Sequence, residues 1–146
     1  MKPLLTLATA AALMLGAGGA WAAEHEIHML NKGEKGNMVF VPDFVQAAPG
    51  DTIRFVPTDK THNVESIAKM IPEGAEPFKG KVNEEVTLAL TAEGVYGVKC
   101  MPHYAMGMVA VVVVGNPVNL EDAKAVKHPG MARKRFEAIF AEIPAN

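Results

Sequence analysis

The chain has one cysteine in 146 residues, so it can close no disulfide of its own. In an oxidising compartment Cys100 must therefore be buried, bound, or paired with another molecule. Charge of one sign is lacking too. Fourteen Lys and Arg face 16 Asp and Glu, a formal net charge of −2. That is not the basic excess which nucleic-acid binding requires. Past the first 22 residues no apolar run approaches the length of a membrane span, and neither repeats nor low-complexity segments occur. The sequence thus predicts a protein that neither enters a membrane nor binds nucleic acid.

What is present begins with a leader. Lys2 supplies one positive charge, Leu4 to Gly19 is predominantly apolar, and Ala20-Trp21-Ala22 sets small residues around a large one. This is the layout of a secretory signal peptide with an A-x-A cleavage site. Residues 1–22 are expected to be removed by cleavage after Ala22, leaving 23–146 as a single domain, exported to the periplasm.

Most of that domain reads as short strands between turns. Examples are Met38-Val39-Phe40-Val41, Thr52-Ile53-Arg54-Phe55-Val56 after the Pro49-Gly50-Asp51 turn, and Val86-Thr87-Leu88-Ala89-Leu90. Gly94 to Cys100 alternates, and Val109 to Val114 is a continuous apolar run of the kind that suits a buried strand. About seven or eight such strands at roughly ten-residue spacing predict an antiparallel β-sandwich. After Gly115 the period changes. Asn119 is placed to cap a short helix through Val126, with Glu121 and Asp122 in its first turn. His128-Pro129-Gly130 breaks it. Residues 131–143 then put Ala132, Phe136, Ile139, Phe140 and Ile143 on one face, an amphipathic helix that would pack on the sandwich.

Chemistry concentrates in 99-KCMPHYAMGM-108. Cys100 ends one strand and Met108 begins the next, so the loop between them gathers Cys100, His103 and Met108. Thiolate, imidazole and thioether are soft or borderline ligands. They suit copper, offer nothing to calcium or magnesium, and zinc has little use for the methionine. A copper electron-transfer site wants two histidines, a cysteine and a long, weak methionine contact. The second histidine must come from His25, His28, His62 or His128. His62 follows the Pro57-Thr58-Asp59-Lys60 turn at a strand entrance, and a loop at the same end of the sandwich makes it the natural donor. Met106 and Met108 share strand parity, and spacing alone does not separate them.

The set resembles the cupredoxins, the small blue copper proteins. Cys-x-x-His-x-x-x-x-Met is the spacing of the plastocyanin, amicyanin and pseudoazurin groups. The resemblance to the pseudoazurin group runs through His28-Met29-Leu30-Asn31-Lys32-Gly33, Ala48-Pro49-Gly50-Asp51-Thr52, His62-Asn63-Val64-Glu65, Met70-Ile71-Pro72 and Gly94-Val95-Tyr96-Gly97-Val98-Lys99-Cys100. The two C-terminal helices also match that group, whereas plastocyanins lack them. The resemblance implies a mainly β, Greek-key sandwich with two C-terminal α-helices and one type 1 copper ion. It makes His62, Cys100 and His103 the strong ligands and Met108 the weak axial one. It implies that Asn63 ties the His62 loop to the Cys100 loop, that Pro102 withholds a backbone donor near the sulfur, and that Met38 lies beside the exposed histidine ring. It further implies a monomeric electron carrier rather than an enzyme. Its edge at His103 would be ringed by Lys32, Lys60, Lys79 and Lys99, for transient docking to a copper nitrite reductase or c-type cytochromes. Met101 and Ala105 depart from the group, which usually has a small polar residue and glycine there. Met101 and Met106 are expected to pack rather than ligate. A copper-delivery protein and a Cys/His hydrolase are the alternatives; the first would favour an exposed Met- and His-rich site, the second a substrate cleft.

Overall fold

The computed structural model describes residues 21–145. The expected leader lies outside them, apart from its last two residues. Two four-stranded sheets face each other. One runs β2 (Gly36–Val41), β1 (Glu24–Gly33), β4 (Thr52–Val56), β6 (Val86–Ala89). The other runs β3 (Phe44–Ala47), β8 (Val109–Val114), β7 (Gly94–Lys99), β5 (Glu65–Ser66). A 3₁₀ helix, Met101–Met106, links β7 to β8, and α1 (Leu120–Ala125) and α2 (Met131–Phe140) follow. The sandwich and both helices are as the sequence predicts. Among the described residues, no helix is long and apolar enough to cross a membrane.

The pairing is not wholly antiparallel, which corrects the sequence expectation. β1 and β4 pair in parallel, from Glu24 opposite Thr52 to His28 opposite Val56. β3 and β8 do likewise, from Phe44 opposite Val111 to Ala47 opposite Val114. The cause is the path between sheets. After β2 the chain crosses to the second sheet as β3, then returns as β4 alongside β1 and in the same direction.

β8 explains its own run of valines. Ala110, Val112 and Val114 point between the sheets, against Ile27, Met29, Phe40 and Phe55. Val109, Val111 and Val113 point outward into a second core with Val95, Ala132, Phe136 and Ile139. A strand covered on both faces needs apolar residues at every position rather than at alternate ones. Each of these buried valines contributes about 1.5–3 kcal/mol relative to exposure.

Asn119 does not cap α1 with its side chain. Its Oδ1 instead accepts from the Val95 N–H at 2.6 Å, and its Nδ2 donates to the Val95 carbonyl at 3.0 Å. Along β7, β5 pairs with Val98 and Lys99 and does not reach Val95, so the edge of β7 is open there. The amide satisfies backbone groups there that would otherwise be buried unpaired.

Candidate metal centre

The predicted ligands converge at one end of the sandwich. His62 lies in the loop before β5, Cys100 directly follows β7, His103 sits within the 3₁₀ helix, and Met108 directly precedes β8. The loop's shape follows from its sequence. Pro102 opens the 3₁₀ helix, where a missing N–H costs nothing. Gly107 closes it at φ +94, a left-handed conformation that glycine adopts freely, and its N–H donates to the Tyr104 carbonyl at 2.9 Å. The Cys100 N–H donates to the Met108 carbonyl at 3.0 Å, which clamps the loop shut.

Three ligand atoms form a compact triangle. His62 Nδ1 is 3.2 Å from His103 Nδ1. The Cys100 Sγ is 3.8 Å from the first and 3.5 Å from the second. A point in their plane, the centre of the circle through all three, lies about 2.0 Å from each, close to a metal–imidazole bond length. His62, Cys100 and Met108 are each 0% exposed, whereas His103 keeps part of its surface in solvent. His25, His28 and His128 lie elsewhere: His25 on Asp51, His28 on Thr58, His128 on Tyr104.

Known proteins agree with this geometry. The model of the copper-binding proteins of the plastocyanin/azurin family matches residues 27–115. The chain is 58% identical to pseudoazurin of Paracoccus pantotrophus, over 93% of this chain and 94% of that one. It is 51% identical to pseudoazurin of Methylorubrum extorquens, over 97% of each. A solved pseudoazurin structure from Sinorhizobium meliloti superposes with a TM-score of 0.81 at 48% identity, covering 84% of this chain and 98% of that one.

The chain belongs to the plastocyanin/azurin family, among the pseudoazurins.

Copper is therefore its cofactor, and the residues present fit a type 1 site: two imidazoles and a thiol in one triangle, with buried Met108 hydrogen-bonded beside them. As in other sites of this kind, neighbouring groups orient the ligands. The Nε2 of His62 is 2.8 Å from the Asn31 Oδ1, which fixes the ring with Nδ1 free for the metal. Sequence reasoning missed Asn31; its only signal was its place in the His28–Gly33 run. Burial, then the nearby His103, push the His62 pKa down, so the ring is neutral and able to ligate. Burial also pushes the Cys100 thiol up, while backbone N–H groups of Asn63 and His103 pull the other way.

Asn63 does join the two loops. Its Oδ1 accepts from the Met101 N–H at 2.7 Å, and its Nδ2 donates to the Gly80 carbonyl at 3.1 Å and to Glu65 at 3.2 Å. Met38 is partly buried against the main core, on the strand β2 that touches the 3₁₀ helix. Met101 and Met106 do not pack as expected: they are 53% and 49% exposed. The tight 3₁₀ turn aims them outward, so they and exposed Pro102 form an apolar rim in the loop of His103. Lys32, Lys60 and Lys79 are exposed. Lys79 lines a groove with Met101 and Pro102. Lys99 differs from them: its Nζ is 3.4 Å from Glu65 and 4.8 Å above the Tyr104 ring.

Proposed function

We propose that this protein is an exported carrier of single electrons. It would receive and pass them between redox partners such as c-type cytochromes and a copper nitrite reductase. The observation that carries this reading is the triangle of His62, Cys100 and His103, buried except along one histidine. Bound copper would supply two oxidation states one electron apart. The chain's task is to keep one coordination shape for both. His62 and Cys100 are held by strand ends and by the Asn31 and Asn63 hydrogen bonds, and Met108 by the Cys100 amide. Ligands so anchored reorganise little, which favours fast transfer. His103 is the ligand in contact with solvent, and its apolar rim offers a face for brief contact. Lys32, Lys60 and Lys79, with Lys99 behind them, would steer an acidic partner at low salt.

Fully buried Cys100 and His62 leave a substrate carbonyl no approach to the sulfur, which argues against hydrolysis. Export is supported by how the fold begins. The Ala23 N–H donates to the Asp51 Oδ1 at 2.9 Å, and the Ala23 carbonyl accepts from the Thr52 N–H at 2.9 Å. Among the described residues, Ala23, the residue that cleavage after Ala22 would leave first, is thus already tied into the sandwich.

The test is copper uptake followed by redox cycling. Apo protein given Cu(II) should develop intense visible thiolate-to-copper absorption, bleach with one electron per protein, and recover on oxidation. Cys100→Ser should abolish the colour. Colour that survives in Cys100→Ser, or a bound metal that cannot be reduced reversibly, would overturn the reading.

A further inference from the structure

The residues between α1 and α2 press on the loop that carries His103. The Tyr104 hydroxyl and the His128 Nδ1 share a hydrogen bond of 2.6 Å, their rings edge to face at 73°. His128 lies against Phe136, ring centroids 4.2 Å apart, and Phe136 is 1% exposed in the second core. Lys99 caps the Tyr104 ring. Further along, Gly130 at φ +52 sits so close to the Ala105 carbonyl that a Cβ there would collide with it. A Cβ on Gly107 would touch that of Met131 at 3.4 Å. The stretch 104–107 is therefore met at three successive points by the stretch 128–131.

His128 is an unusual choice for this place if packing were the whole need. Its Nε2 is buried with no partner, and burial keeps the ring neutral by pushing its pKa down. An unpaired buried nitrogen costs stability that an apolar ring would not. What the imidazole adds over phenylalanine is the bond to Tyr104, the residue next to ligand His103.

We propose that His128 is a positioning residue for the copper site: by holding Tyr104 it fixes the backbone on which His103 is mounted. The C-terminal helices thereby act on the metal loop through one side-chain bond and two close backbone contacts. This rests on the copper reading above, and its test separates the two.

The variants are His128→Phe, which keeps a ring on Phe136, Tyr104→Phe, which removes one oxygen, and the double variant. In apo protein the readout is amide hydrogen exchange at His103, Gly107 and Met108, each of which donates a backbone bond within the loop. Loss of one hydrogen bond should speed exchange there by about fivefold in either single variant, with β8 unaffected. In copper-loaded protein both should shift the ratio of the visible bands and the copper hyperfine splitting in the same direction. The double variant should match either single one, since both delete the same bond. Unchanged exchange and spectra in Tyr104→Phe, or effects that add fully in the double variant, overturn the proposal even if His128→Phe fails to fold. An unaltered protein lacking the thiolate-to-copper absorption overturns the parent reading instead.

Discussion

His62 and Asn31 stand 31 positions apart in sequence, yet their side chains meet at 2.8 Å. One comes from the loop before β5 and the other from β1 in the opposite sheet, so this bond staples the two layers at the metal end. It also decides which nitrogen of His62 faces the cysteine.

Removing that staple should weaken metal binding before it weakens the fold. Asn31 is exposed, so Asn31→Ala should leave stability within about 1 kcal/mol. Copper affinity should fall by about 10–100-fold, the usual effect of losing an orienting partner. Competition titration with a chelator measures the second, urea unfolding of apo protein the first.

Copper uptake should release a proton from sulfur. Burial raises the Cys100 pKa, so the metal-free group is a thiol near neutrality, while His62, with its pKa lowered, carries no proton to lose. Apparent affinity should therefore climb by about tenfold per pH unit below the thiol pKa. Calorimetric titration in buffers of different ionisation enthalpy counts the proton directly, and Cys100→Ser should release none from this position.

Asp51 should make the protein sensitive to strong acid. Hydrogen bonds from the Ala48 N–H, His25 and the Ala23 N–H lower its pKa from 3.8 to about 2. A carboxylate whose folded pKa is depressed stabilises the fold above the unfolded value and loses that contribution as pH falls through the folded one. Asp51→Asn should thus be less stable than the unaltered protein at neutral pH. The gap should narrow between about pH 4 and pH 2, read from denaturant midpoints across that range.

Phe136 joins α2 to the sheet and carries His128. Phe136→Ala should cost about 3–5 kcal/mol. The loss should appear in urea unfolding as a lower midpoint with little change of slope.

Much of the site was legible because its chemistry is local. Cys100, His103 and Met108 share one ten-residue stretch, and soft ligands at that spacing have few structural uses. The valine run likewise declared a buried strand. Long-range pairing was harder to see. Nothing in Glu24 to His28 says that Thr52 to Val56 will lie parallel to it, because direction depends on a crossing between sheets. Asn119 has the residue type of a cap, and only the open edge of β7 diverts it to Val95. Met101 and Met106 are apolar and read as packing residues; the 3₁₀ turn leaves both about half exposed. Tyr104 and His128 meet through the packing of α2, which no periodicity encodes as a pair.

β8 has a further consequence. Six consecutive residues, Val109 to Val114, carry no charge, no proline and strong β propensity, the makeup of a segment that self-associates when exposed. In the fold it is shielded on four sides: β3 and β7 take its backbone, and the two cores take its faces. Whatever strips away β3 or α2 uncovers a ready seed for aggregation directly after Met108. Holding the metal loop rigid and keeping the chain from sticking to its own copies are thus one and the same requirement on this strand.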